Sequence, residues 1–280
     1  MSSARYALID GHVHFHACFD PDEFLNCAWA NFARAAVAAG FGDRFSAYLL
    51  MTETAHAHWF DDLSQRAGSS VPIAEGWTVR ATAHPCQVKL VGPEGAELNV
   101  ISGYQIVTTE NLEVLALGSI ERIPDGEPAD RVIEAARASG AIPVVPWGFG
   151  KWLGRRGKCV HSLVDSSAPG ELFLGDNSNR LAGFPEPPIL RRARAAGFQI
   201  LPGTDPLPFA REAARAGTLG FLLECNSAFE DADSWSTVRD KIERREAVTP
   251  FGDFENPWSF ARNQIAMQLY KRSGTGSAAA

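Results

Sequence analysis

Two histidines near the start of the chain have the spacing of metal ligands. His12 and His14 follow the apolar run 6–9 in the segment Asp10-Gly-His-Val-His14. Side chains two residues apart in an extended segment point to the same side, so both imidazoles can bind one ion. We expect Asp10 to accept the free ring N–H of one imidazole and fix its tautomer. A pair of hydrogen-bonded structural histidines is the alternative.

An aspartate far along the chain completes the set of candidate ligands. Asp205 closes a turn after the apolar run 198–201. A carboxylate there can bind a metal ion and accept a proton from metal-activated water. Because Pro206 follows it, Asp205 could instead cap a helix. The sequence predicts His12, His14 and Asp205 as metal ligands, with Asp205 also catalytic.

A second pair of histidines, His56 and His58, repeats the spacing. Their surroundings predict a helix over 54–67, and residues two apart on a helix diverge by about 200°. We therefore expect at most one of them in the pocket, and His56 is the predicted fourth ligand.

Later segments place cations and polar side chains where an anionic group could bind. Lys151 stands between two tryptophans in a glycine-rich stretch, and Arg180 ends the segment Gly175-Asp-Asn-Ser-Asn-Arg180. Such loops let cations and backbone amides approach a phosphate or carboxylate closely. A solvated basic loop is the alternative. The predicted substrate-binding residues are Lys151, Arg180, Trp147, Asp176 and Asn177, and Lys151 is also assigned to catalysis.

The elements that must position these residues alternate between apolar strands and glycine-terminated helices. The predicted strands are 6–9, 45–51, 142–145, 171–174, 198–201 and 219–223, and the predicted helices include 20–39, 189–196, 209–216 and 258–271. This alternation is typical of a parallel α/β barrel or doubly wound sheet. The loops after the strands of a barrel meet on one face, which would collect the polar residues in one pocket. The segment 71–118 predicts inserted β-hairpins.

Size and composition limit the possible classes of protein. The 280 residues are 45% hydrophobic and 21% charged, which predicts a globular chain with a substantial core. We predict one domain over 1–272 and a flexible tail over 273–280. The sequence does not indicate the oligomeric state. The 26 basic and 33 acidic residues give a net charge of −7, which predicts a small-molecule anionic substrate and no nucleic acid.

The apolar runs and the cysteines indicate the compartment. No apolar run approaches the ~18 residues of a membrane span, and the start MSSARY has no signal-peptide core. The five cysteines form no CxxC pair, so no disulfide framework or zinc knuckle is expected. We expect a cytoplasmic protein with no membrane partner and reduced thiols.

Four segments of the chain resemble motifs of the PHP (polymerase and histidinol phosphatase) family and, more distantly, of the amidohydrolases. Ile9-Asp-Gly-His-Val-His14 is similar to the opening motif, 103–117 to a strand pair, 141–147 to the next strand and Gly203-Thr-Asp205 to a late Gly-Ser-Asp segment. The resemblance implies a distorted TIM-like (βα) barrel, two or three divalent metals and phosphoester hydrolysis.

Several positions depart from the PHP pattern. Gln105 stands where that family has a metal-bridging glutamate, and Glu113 stands where it has a histidine. Pro146-Trp147 replaces His-Pro, and Pro206-Leu207 follows Asp205 in place of a histidine. A trinuclear site therefore cannot be carried over.

The ligands that remain are enough for one metal ion. His12, His14 and Asp205 would be helped by His56, Glu110 or Glu121, with Asp10, Gln105 and Glu121 expected around the ligands. We predict a hydrolase in which zinc, manganese or iron activates water for attack, most simply on a phosphoester. One alternative is an amidohydrolase acting on an amide or lactam. The other is a degenerate barrel that binds a ligand or regulates a partner.

Overall fold

The computed structural model describes residues 5–225 and 234–272, which contain twelve strands and seven α-helices. The strands are β1 (Arg5–Val13), β2 (Phe45–Met51), β3 (Thr78–Ala81), β4 (Gln87–Val91), β5 (Glu97–Ile101), β6 (Gly103–Val107), β7 (Glu113–Leu117), β8 (Ile142–Pro146), β9 (Phe173–Asn177), β10 (Ile200–Gly203), β11 (Leu219–Cys225) and β12 (Thr249–Gly252). The helices are α1 (Pro21–Ala38), α2 (Trp59–Arg66), α3 (Ala129–Ala138), α4 (Gly154–Ser166), α5 (Pro188–Ala195), α6 (Ser234–Glu243) and α7 (Pro257–Arg272). Short 3₁₀ turns cover Pro93–Gly95 and Ala210–Arg215.

The strands form two mixed sheets. One has seven strands in the order β12-β11-β1-β2-β5-β4-β3, and the other has five in the order β10-β9-β8-β7-β6. The pairs β1–β2, β2–β5, β8–β9 and β9–β10 are parallel, whereas β11 runs antiparallel to β1. The predicted α/β class is confirmed. Within the described residues the ladders do not close into the predicted TIM-like barrel.

Three apolar clusters pack between these layers. Helices α1 and α2 cover the outer face of the seven-stranded sheet, and α3, α4 and α5 cover the outer face of the five-stranded sheet. The third cluster lies between the inner faces of the two sheets and includes Ile9, Phe173 and, from α6, Trp235. Strand β1 is therefore buried on both faces, which explains its near-continuous apolar sequence.

Helix boundaries follow local signals in α1 but not in α2. The side chain of Asp20 accepts a hydrogen bond from the Glu23 amide (2.9 Å), and Pro21 is the first helical residue, as predicted. The helix predicted over 54–67 begins only at Trp59, so His56 lies in a loop and His58 is the cap residue. The prediction of helix over residues 54–58 was wrong.

Strands β1 and β10 approach each other closely at their carboxyl ends. A Cβ on Gly203 would lie 2.2 Å from the His12 nitrogen, and one on Gly11 would lie 2.8 Å from the Pro202 oxygen. Only glycine permits this approach of backbone to backbone. The amide of Asp205 donates to the His12 carbonyl (2.8 Å), so the end of β1 and the turn after β10 are joined.

Other features of the chain bear on its surroundings. In the part of the chain that the structure describes, no helix combines the length and apolarity needed to cross a bilayer. The five cysteines are free thiols. The tail 273–280 lies outside the described residues, so its flexibility stays a prediction, as does the single domain over 1–272.

Candidate metal centre

Three side chains from distant parts of the sequence meet at the carboxyl ends of β1 and β10. The Nε2 atoms of His12 and His14 lie 3.1 Å apart, and each lies 3.5 Å from Oδ1 of Asp205. His12 and His14 are buried, and the Asp205 side chain is 18% exposed. The site therefore offers two imidazoles and one carboxylate oxygen to a common point.

These distances fit a single divalent ion. Ligand atoms that each lie about 2.0–2.2 Å from a tetrahedral ion are about 3.3 Å from one another. The three observed separations lie on both sides of that value. Two imidazoles and one carboxylate are also a known ligand set of catalytic zinc, which keeps its remaining position for water or substrate.

The protonation of His14 and Asp205 suits metal binding. Burial, together with the neighbouring charge of His12, holds the pKa of His14 well below its usual range, so this imidazole is neutral. Burial favours the neutral form of Asp205, but His12, His14 and Lys151 outweigh it and hold the pKa of this carboxyl below its usual value. Neutral imidazole and ionised carboxylate are the forms that bind metals.

Asp10 joins backbone segments rather than contacting an imidazole ring. Its carboxylate accepts hydrogen bonds from the amide of Thr204 (2.8 Å), the hydroxyl of Thr204 (2.6 Å), the amide of Gly217 (2.9 Å) and the amide of His12 (3.3 Å). Burial raises the pKa of Asp10 to about 7 despite these bonds. The bonds to Thr204 and Gly217 were not foreseen from the sequence, which does not show which distant amides meet Asp10.

Asn177, at the end of β9, contacts the candidate ligand Asp205 directly. Its Nδ2 atom donates to Oδ2 of Asp205 (2.8 Å) and to the carbonyl of Trp147 (2.8 Å). The ring of Trp147 packs against the cluster under α3, α4 and α5. Asn177 was predicted as a substrate-binding residue, and in the structure its amide group is committed to the protein.

Of the two predicted cations, Lys151 and Arg180, only the charge of Lys151 acts on the pKa values of His14 and Asp205. Lys151 forms an ion pair with Glu113, and its side chain is 39% exposed. Burial alone would lower the pKa of Lys151, but the charges of Glu113 and Asp205 raise it above its usual value. Lys151 is therefore a permanent cation beside the ligands, and its partner Glu113 was not predicted as a site residue.

Asp176 and Arg180 bind each other. The guanidinium donates to both carboxylate oxygens of Asp176 (3.2 and 2.8 Å), to the carbonyl of Phe184 (3.3 Å), and stacks 3.7 Å above the ring of Phe254. Both side chains are about nine-tenths buried. Burial raises the pKa of Asp176 despite the adjacent guanidinium. The pair holds the loop after β9, and Asp176 is not part of the cluster of candidate ligand atoms.

The other predicted helpers lie apart from the three ligands. His56 and Glu121 are exposed, and neither belongs to the cluster of ligand atoms. Glu110 accepts a hydrogen bond from the Ala129 amide at the start of α3 (3.1 Å). Gln105 is half-buried and lines a small cleft beside Glu53. Their contribution to a metal site stays a prediction.

His16 and Thr52 complete the surroundings of His14. The ring of His16 stacks on that of His14, with centroids 5.4 Å apart, and its Nε2 atom lies 2.9 Å from the Pro206 carbonyl. Thr52 Oγ1, at the end of β2, lies 3.5 Å from His14 Nε2. His16 continues the alternation of the opening motif, whereas no sequence signal identified Thr52.

Comparison with known proteins gives a resemblance of fold. PsfC from Pseudomonas syringae PB-5123 is 14% identical, covering 96% of this chain and 99% of PsfC, with a TM-score of 0.49. The lesion-specific endonuclease Q from Pyrococcus furiosus is 11% identical, covering 89% of this chain and 58% of the endonuclease, with a TM-score of 0.48. An endonuclease Q complex with a 27-mer duplex carrying an abasic lesion is 10% identical, with the same coverage and a TM-score of 0.46.

These values describe a similar α/β arrangement at low identity and identify no activity. No protein-family model matches the chain, and no curated protein matches it. Membership of the PHP family therefore stays a prediction.

One prediction about partners was wrong. The negative net charge led us to exclude nucleic acid and to expect a small-molecule substrate alone. One structure in the comparison is an endonuclease Q complex with a 27-mer duplex substrate, a finding that contradicts this exclusion. The net charge of a whole chain does not determine the charge at one site.

Proposed function

We propose that this protein is a metal-dependent hydrolase that cleaves a phosphoester. The observation that carries the proposal is the meeting of His12 Nε2, His14 Nε2 and Asp205 Oδ1 at separations of 3.1 to 3.5 Å. A divalent ion bound there would act as a Lewis acid and lower the pKa of water.

The residues of the pocket have distinct roles in this proposal. His12 and His14 would hold the ion through their ring nitrogens, and Asp205 would hold it through an ionised carboxylate oxygen. Asp205 is also the carboxylate in the cluster that would take the proton of the attacking water. His16 lies beside these residues, with its ring stacked on that of His14 and its Nε2 atom 2.9 Å from the Pro206 carbonyl.

Lys151 favours a phosphoester over a neutral amide. Its ammonium group is kept protonated by Glu113 and lies within electrostatic reach of Asp205. A fixed cation there binds the oxygens of an anionic substrate and stabilises the negative charge that builds up during hydrolysis. An amide or lactam has no anionic group for the cation to bind before the reaction begins, so amidohydrolase activity is the second candidate.

Metal content tests the proposal first. We expect protein purified without chelator to carry about one divalent ion per chain, and His12→Ala or His14→Ala to lose it. Elemental analysis measures the ion and identifies it as zinc, manganese or iron. His161→Ala is the matched control, because His161 is exposed on α4 and contacts Arg192. Metal content that survives both ligand substitutions would rule out this site.

Hydrolysis tests the second half of the proposal. The metal-loaded protein is assayed on an aryl phosphomonoester, an aryl phosphodiester, a duplex oligonucleotide and a lactam. Cleavage of a phosphoester that fails in His12→Ala supports the proposal, and cleavage of the lactam alone supports the amidohydrolase. Metal binding without any hydrolysis supports the ligand-binding or regulatory alternative.

Substitution of the cation separates binding of the substrate from binding of the metal. Lys151→Met should lower phosphoester hydrolysis by about 100-fold, the usual cost of one preorganised electrostatic contact, with metal content unchanged. Lys158→Met is the control, since Lys158 is exposed on α4. Equal activity of both variants and the unaltered protein would remove Lys151 from the mechanism.

A further inference from the structure

Asn177 is joined to the ligand Asp205 by a hydrogen bond whose direction is fixed. Both neighbours of its Nδ2 atom, Oδ2 of Asp205 and the Trp147 carbonyl, are acceptors at 2.8 Å. The NH₂ end of the amide must therefore face them, and each of its two hydrogens has a partner. The Oδ1 atom accepts from the Asn179 amide (3.2 Å). With Asn177 98% buried, none of its polar atoms is left for a substrate.

The two oxygens of Asp205 consequently have different surroundings. Oδ1 faces the Nε2 atoms of His12 and His14, whereas Oδ2 accepts the hydrogen bond from Asn177. The hydrogen bond to a carboxylate is charge-assisted, which makes it stronger than one between neutral groups.

The backbone of Asp205 is held as firmly as its side chain. Its amide donates to the His12 carbonyl (2.8 Å), and its carbonyl accepts from Nδ2 of Asn179 (2.9 Å). Its φ of 49° lies in the left-handed region, which a non-glycine residue keeps only when its surroundings impose it. With the backbone fixed, the remaining freedom of Asp205 is rotation of its side chain, and Asn177 opposes that rotation.

We infer that Asn177 is a positioning residue that makes Asp205 a one-oxygen ligand, with Oδ1 turned to the ion and Oδ2 kept away from it. This inference rests on the proposed metal site. Without the donor of Asn177, the carboxylate could turn both oxygens toward the ion, which would use a position that water or substrate needs. Partners of this kind typically contribute 10- to 100-fold to metal affinity.

Cobalt titration of the whole chain tests the inference. Apoprotein is titrated with Co²⁺, and calorimetry gives the affinity while the visible absorption reports the coordination number, since four-coordinate Co²⁺ absorbs more strongly than five- or six-coordinate Co²⁺. We expect Asn177→Ala to bind Co²⁺ about 10- to 100-fold more weakly and with a weaker visible band. Asn177→Leu, which has a similar shape but no hydrogen to donate to Asp205, should alter the band in the same direction.

An exposed asparagine on α1 provides the control. Asn26→Ala removes a hydrogen bond from the indole of Trp77 and should leave the Co²⁺ band unchanged. If Asn177→Ala does not fold, judged by circular dichroism, Asn177→Leu carries the test. Affinity and absorption equal to those of the unaltered chain in the folded Asn177 variants would overturn the inference alone. Absence of Co²⁺ binding in the unaltered chain would overturn the proposed function and this inference with it.

Discussion

Asp10 is the residue that ties the candidate site to the rest of the protein. Its two oxygens accept four hydrogen bonds, which come from β1, from the turn after β10 and from Gly217 before β11. The first strand and two segments about 200 residues later in the chain thus meet at one carboxylate. A buried carboxylate with this many donors stabilises the structure because each donor would otherwise be buried without a partner.

Removal of this carboxylate should destabilise the whole chain. We expect Asp10→Ala to lower the free energy of unfolding by about 3 kcal/mol or more, because the amides of Thr204 and Gly217 lose their acceptor. Urea denaturation measures the change. Asp165→Ala is a suitable control, since Asp165 is exposed on α4. A loss of less than 1 kcal/mol in Asp10→Ala would contradict the structural role assigned here.

For individual residues, the sequence predicted which side chains lie in the candidate site better than it predicted which groups they contact. The spacing of His12 and His14 and the strand-end position of Asp205 were enough to expect that these three side chains would meet. The roles of Asn177 and Arg180 were not predictable in the same way. Whether a polar group faces a substrate or a neighbouring residue depends on atoms that tertiary packing brings beside it.

Among the elements, the loop between β2 and α2 is organised by contacts that come from elsewhere in the chain. Arg122 donates to the carbonyls of Ala57 (2.8 Å) and Thr54 (3.4 Å) and stacks over the ring of Tyr104. Glu53 accepts a hydrogen bond from the Phe60 amide in the first turn of α2 (2.7 Å). These bonds hold residues 54–58 out of the helix that their sequence favours.

Ionisation of the buried Glu53 side chain should make the free energy of unfolding depend on pH. Burial raises the pKa of Glu53 above its ordinary value of 4.5, although Phe60 and Arg122 oppose the shift, and Oε2 has no hydrogen-bond partner among the described residues. The folded chain then keeps this proton to a higher pH than the unfolded chain. Stability therefore falls as the pH rises from about 4.5 through the raised pKa.

Glu53→Gln removes this contribution to the pH dependence of the unfolding free energy, since glutamine does not titrate. We expect the difference in unfolding free energy, Glu53→Gln minus the unaltered chain, to increase as the pH rises from 4.5 to 8, measured by urea denaturation at each pH. Glu127→Gln, at an exposed position, should show no such trend. A difference that stays constant or decreases with pH would show that Glu53 is ionised at little cost in the folded chain.

Helices α3 and α4 show why some elements were not predicted. Neither has a side-chain cap of its own, and the first amide of α3 is satisfied by Glu110, nineteen residues earlier. The sequence around α4 is rich in glycine and arginine, which resembles a binding loop. A helix whose ends are satisfied by distant residues leaves no start signal in its own sequence.

On the scale of the whole molecule, the direction of β11 separates the observed fold from a barrel. Alternating apolar runs and helices predicted parallel strands, and four of the strand pairs are parallel. Strand β11 nevertheless runs antiparallel to β1, and β12 then extends the same sheet outward. An apolar run predicts a buried strand but does not show whether that strand runs parallel or antiparallel to its neighbour. The sequence therefore predicted the α/β class but could not predict that antiparallel strands would form one edge of the larger sheet.

Two cysteines lie in the core between the two sheets, and their accessibility reports whether this core is open. Cys86 and Cys225 are both buried in the cluster that the inner faces share, whereas Cys18 is exposed. Burial raises the pKa of the Cys225 thiol to about 12, so its reactive thiolate is scarce at neutral pH. A reagent can reach Cys86 and Cys225 only when the sheets separate.

Thiol labelling should therefore report whether the two sheets unfold as one unit. At pH 8 we expect Cys18 to react first, and Cys86 and Cys225 to react at least about a thousandfold more slowly, since a domain of ordinary stability is rarely open. The rates at both buried thiols should rise together with urea and follow global unfolding, as mapped by mass spectrometry of labelled peptides. Rapid labelling of Cys225 without urea, while Cys86 stays protected, would mean that β11 leaves the sheet alone and that the core is not cooperative.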